Sequence, residues 1–287
     1  MTATGDGARV STTGRPRSVW LALAAVVVYI ALAAGLGNLL SGLVREDEST
    51  AQFALGHFIP LAIAIALLLL FLRWAGWGSD VWRERPTPTL IPRRWWLLSI
   101  PVLVVLGPIG QLGDVPWASR SIGTILVIAA GTLMVGFGEE LVMRGILLTA
   151  VRARHGELAT LLVTSFVFAL AHIPSSLIAG VSVGAIAFQV AALASVGAAY
   201  YWVRRVTGRL WVGMLVHAFT DWVLYLASGA GTPAASMPQG HSGSPEVFPA
   251  IVQSLLLLAT AIGVISVMRE DRRNRRAASD AASSTAT

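Results

Sequence analysis

The decapeptide GFGEELVMRG, residues 136–145, places two adjacent carboxylates and an arginine inside one of the most apolar stretches of the chain, roughly 121–150. Runs of about twenty apolar residues recur from end to end, the length needed to cross a bilayer. With 55% hydrophobic and only 13% charged residues, the solvent for most of this protein is lipid. Charges placed at membrane depth need partners or a task.

Outward from that segment, apolar runs cover residues 19–44, 53–72, 96–112, 121–150, 158–175, 180–203, 209–228 and 247–268. The reading is an all-α, polytopic integral membrane bundle of about eight transmembrane helices. The transmembrane domain occupies 19–268, with a polar tail at 1–18 and a basic, then Ala/Ser/Thr-rich tail at 269–287. The first run, preceded by Arg9, Arg15 and Arg17, has the charge pattern of a signal peptide but is longer than a usual apolar core of one, so it reads as a retained span.

Composition removes several classes of function. There is no cysteine, hence no thiolate nucleophile and no Cys-based metal site, and no lysine for Schiff-base or Ser-Lys chemistry. The net charge of +6 comes from arginines scattered between spans rather than gathered on a soluble domain, which argues against nucleic acid as a partner. Those arginines alternate. The N-terminal tail, the 73–95 loop, Arg152 with Arg154, Arg204 with Arg205 and Arg209, and the cluster from Arg269 to Arg276 fall on one set of loops. The other set carries Arg45 among Glu46, Asp47 and Glu48, then Asp114 and Arg120, and finally Glu246. By the positive-inside tendency both termini are expected in the cytoplasm, in a cell (plasma) membrane. Trp74, Trp95, Trp96, Trp117 and Trp211 fall at predicted span ends, where indoles favour the interface.

Three spans carry ionisable groups well inside them: Glu139, Glu140 and Arg144 in the fourth, His172 of FALAH in the fifth, and His217 with Asp221 of HAFTD in the seventh. An ionised group at the bilayer centre costs about 2.5–3.5 kcal/mol on insertion scales. Glu140 and Arg144 stand one turn apart and predict a local ion pair, whereas Glu139 points about 100° away and needs a partner from another helix. His217 and Asp221 share a face. If the spans converge, Glu139, His172, His217 and Asp221 supply either a ligand set for a divalent metal such as zinc or an acid/base cluster that activates water, and the sequence leaves both open. Helix arithmetic puts Glu139 roughly 16 Å from Ala150 and His217 roughly 13 Å from the 204–209 arginines, but His172 roughly 25 Å from His155. Pro174 signals a bend or end near His172.

These motifs resemble those of the CAAX-protease and bacteriocin-processing (Abi) family, intramembrane proteases related to the Ras-converting CAAX endopeptidase. EELVMR is similar to EExxxR, Phe168–His172 to FxxxH, and HAFTD to HxxxN/D, all in order within about 119–228. The resemblance implies an endopeptidase acting on a membrane-associated peptide or protein. Glu139 and His172 would activate water, His217 and Asp221 would stabilise the oxyanion or complete a metal site, and Glu140, Arg144 and Phe168 would support them. Asp221 stands where Asn is commoner, and an ionised Asp cannot donate to an oxyanion, which favours it as a ligand or as an orienter of His217. The expected site lies in the cytoplasmic half of the bundle. The rival reading is a transporter, or an immunity or scaffolding protein, with buried charges for proton movement or register. GVSVG, Gly180–Gly184, imitates a nucleophile elbow without the strand such an elbow needs. His57, His155 and His241 read as having no specific task, and Gly136, Gly138 and Gly145 as close-packing positions.

Overall fold

The computed structural model describes residues 15–45, 47–228 and 247–284. Eight helices in it are long and apolar enough to cross a membrane: Val19–Ser41, Ser49–Ala75, Trp95–Asp114, Ile122–Arg152, Glu157–Ile178, Val183–Thr207, Leu210–Ser228 and Ala250–Ser284, the first to the eighth span. Among the described residues there is no strand, only an isolated bridge between Arg83 and Arg209. This is an all-helical integral membrane protein, as the apolar runs predict. Most of the 1–18 tail, with Glu46, His241 and Glu246, lies outside the described residues.

Local chemistry sets several boundaries. Ser121 and Ser182 cap the fourth and sixth spans, each accepting from the amide three residues on, while Gly76 and Gly208 adopt positive φ and end the second and sixth. The last helix continues past 268 to Ser284, so the described part of the basic tail is helical. Its Arg- and Ala-rich composition favours helix, and Glu270 and Asp271 anchor its first turns to the bundle.

Large apolar side chains such as Leu67, Leu70, Leu133 and Phe166 face outward, as lipid contact requires, while Glu140, Arg144, Thr164 and His217 lie inside. Trp74, Trp95, Trp96, Trp117 and Trp211 are exposed at or beside the span ends. The fourth span is the hub. A Cβ on Gly136 would come within 2.5 Å of the Met214 carbonyl oxygen and 2.8 Å of the Ala218 nitrogen, so the fourth and seventh spans touch backbone to backbone. Gly138 and Gly145 give the same close approach to Tyr29 and Val81.

The arginine-rich ends are knitted together. Arg205 pairs with Glu157 at 3.2 Å and Glu270 at 3.1 Å, and Arg94 with Glu270 at 2.8 Å. Arg152 pairs with Glu157 at 2.7 Å and also with Glu84, while the Tyr201 hydroxyl donates to Glu157 at 2.7 Å. Asp271 accepts from the Glu157 and Leu158 amides at 2.8 and 3.0 Å, capping the fifth span from the eighth helix. Below this layer Leu141–Val151 and Tyr200–Val206 are buried, so that end of the bundle is filled.

Candidate active site

The opposite half of the bundle holds a cleft of about 1090 Å³. Glu139, His172, His217 and Asp221 all line it, together with Tyr29, His57, Tyr200 and Tyr225. The four residues singled out from sequence are therefore brought to one space from three spans.

His217 is the centre of the arrangement. Its Nδ1 lies 3.1 Å from Glu140 Oε1, and its Nε2 lies 3.6 Å from Asp221 Oδ2 and 3.8 Å from Glu139 Oε2. A carboxylate oxygen accepts, so Nδ1 is the donor to Glu140 and Nε2 faces the other two carboxylates. Those two spacings exceed a direct hydrogen bond and suit one bridging water. The Tyr200 ring stacks on the imidazole at 4.7 Å between centroids, fixing its plane.

Glu140 and Arg144 form the expected ion pair at 2.8 Å, both side chains fully buried. Arg144 also donates to the Gly197 carbonyl at 3.0 Å and lies over the Phe168 ring at 4.4 Å. The pair is thus not closed on itself: Glu140 Oε1 also accepts from His217, giving an Arg144–Glu140–His217 chain of contacts that spacing alone does not reveal. Phe168 sits between the cation and both imidazoles, with centroids 4.9 Å from His172 and 5.9 Å from His217.

The fifth span breaks at Ala171 and His172 and resumes as the short helix Ile173–Ile178, with Pro174 in its first turn. His172 Nδ1 lies 2.8 Å from the Phe168 carbonyl oxygen, which can only accept, leaving Nε2 as the basic nitrogen. Counted from Arg152 and Glu157, Glu139 lies about 20 Å deep and His172 about 22 Å. The depth mismatch expected from sequence disappears because the fourth helix runs on to Arg152 and the fifth begins inside the ionic layer. Glu139, His217 and Asp221 lie near the middle of their spans and His172 at the break in the fifth, all on the cleft side of the filled end.

Two further residues line the cleft. His57, read as idle, lines the cleft with Nδ1 held 2.8 Å from the Phe53 carbonyl and its ring stacked on Phe53 at 4.0 Å. Tyr29, which no motif marks, is 4% exposed, lines the cleft, and its hydroxyl has no hydrogen-bond partner. The signal available for Tyr29 was a single hydroxyl in the otherwise apolar stretch of the first span. The helices that carry Tyr29 and Glu139 widen beside them: π-helical turns cover Ala31–Leu36, just after Tyr29, and Leu141–Leu147, just after Glu140. Such turns recur at functional sites because they re-aim side chains.

Ser182 of GVSVG caps the sixth span and has no strand before it, so it is not a nucleophile elbow. Among the described residues no three His, Asp or Glu side chains form a group that could hold a metal ion.

Residues 121–223 match the family model described as type II CAAX prenyl endopeptidase Rce1-like. No curated protein and no solved structure matches the chain. The matched segment contains the fourth span, both halves of the fifth and His217 with Asp221, so the part of the chain that builds most of the cleft is similar to a family of membrane endopeptidases.

Proposed function

We propose that this protein is an intramembrane endopeptidase that hydrolyses a peptide bond of a membrane-associated peptide or protein with water activated by Glu139 and His172. The observation that carries the reading is the convergence of Glu139, His217 and Asp221 within 3.8 Å contacts in a cleft shared with His172, inside a segment similar to that endopeptidase family.

In this reading Glu139, its side chain 20% exposed in the cleft, takes a proton from water while the His172 Nε2 lone pair orients it. The oxygen attacks the scissile carbonyl, and negative charge gathers on the carbonyl oxygen. Asp221 as a carboxylate cannot donate to that charge. The unpartnered Tyr29 hydroxyl can, and a buried donor with no competing bond is pre-organised for it. His217, oriented through Nδ1 by Glu140, is placed to pass the proton from Glu139 to the departing amine. Asp221 holds the Nε2 side of the same ring.

Comparative proteomics of cleaved membrane peptides tests this in cells carrying intact or Glu139→Ala protein. A defined set of new termini should vanish in the variant, with the protein still present and extractable. The same termini in both cell lines would defeat the proposal.

A further inference from the structure

The cleft has a direction. Beyond the buried carboxylates its lining runs out through Asn38 and Ser41 at the end of the first span, Gln52 at the start of the second, Gln111 near the end of the third and Gln253 near the start of the eighth. These positions share one face of the bundle, the face of the 42–48 and 112–121 connections. Among the described residues no lining residue comes from the other end, which is filled by the Arg152–Glu157–Arg205–Glu270 layer and the buried 141–151 segment. The open face is also the one poor in arginine: its described loops carry Arg45, paired with Asp47, and Arg120, whereas every other described arginine except the buried Arg144 lies at the closed face. Short arginine-rich loops stay in the cytoplasm.

From these two independent facts, the course of the cleft and the sorting of arginine, we infer that the catalytic cleft opens to the non-cytoplasmic side of the membrane. Its substrates are then membrane-tethered or exported peptides whose cleavable segment enters from the outer leaflet, not tails presented by the cytoplasm. Among the described residues no arginine lines the cleft and its carboxylates are Glu139 and Asp221, so it favours neutral or basic segments over acidic ones. The substrate part rests on the endopeptidase reading; the direction of opening does not.

The chain has no cysteine, which makes the test direct. Asn38→Cys and Gln253→Cys mark the mouth, and His155→Cys marks the exposed turn on the closed face. Intact cells making each full-length variant are treated with a membrane-impermeant maleimide, before and after permeabilisation. Both mouth cysteines should label in intact cells and His155→Cys only after permeabilisation. The reverse pattern, or mouth cysteines unreactive even in permeabilised cells, overturns the inference. Libraries of random peptides tethered to either side of the membrane then test delivery: Glu139-dependent cleavage of the outer library is expected, and cleavage of the inner library alone also overturns it. If labelling is as expected and neither library is cut, the opening stands and the endopeptidase reading falls.

Discussion

Two neighbouring glutamates should fail in opposite ways when neutralised. Glu140→Gln strips the counter-charge from Arg144, whose side chain is 0% exposed and whose other partners are the neutral Gly197 carbonyl and the Phe168 and Tyr200 rings. Breaking one side of a buried ion pair costs about 3–5 kcal/mol. That is a factor of roughly 10² to 10⁴ in the folded-to-unfolded ratio. Glu139→Gln removes a carboxylate that is 20% exposed and whose closest recorded polar neighbour is 3.8 Å away, so no direct hydrogen bond is lost. Its effect on stability should stay within about 1 kcal/mol, while loss of the general base lowers cleavage by at least about 10²-fold. The assay pairs denaturant unfolding of purified protein in mixed micelles with cleavage of a peptide identified by proteomics. Replacing both members, Glu140→Gln with Arg144→Met, should recover a large part of the lost stability but not activity, since His217 then rests on a neutral amide oxygen in place of a carboxylate. Equal destabilisation by the two single variants, or an active Glu139→Gln, would refute the division of roles.

Tyr29→Phe should lower kcat by about 10²-fold with little change in KM or unfolding midpoint, because it removes one donor aimed at the transition state; an unchanged kcat would return Tyr29 to a packing role. Gly136→Ala forces a methyl group within 2.5 Å of the Met214 carbonyl, so the fourth and seventh spans must part, at about 1–3 kcal/mol and a loss of activity near 10²-fold; a variant with parental stability and rate would show the contact to be slack. If Glu139 and His172 activate water unaided, elemental analysis beside chelator treatment finds well under one divalent ion per chain and unaltered cleavage. Chelator-sensitive activity with one ion per chain would overturn that expectation.

The amino-acid sequence by itself determined the solvent, the number of spans and the sorting of arginine, because each is a property of composition within some twenty consecutive residues. It also determined that Glu140 and Arg144 pair while Glu139 turns elsewhere, since helical spacing alone sets that geometry. Convergence of three spans was expected from the cost of lone charges in lipid rather than seen. What only the tertiary structure decided depends on how separate helices pack. Glu140 reaching His217, and Tyr29 and His57 entering the cleft, depend on close glycine contacts between spans and on π-helical turns that shift the register of neighbouring faces, whereas the helix break at His172 was already signalled by Pro174. The direction of the cleft belongs to the same class. It is set by which span ends are filled by ion pairs and which are left apart, and no single helix carries that information.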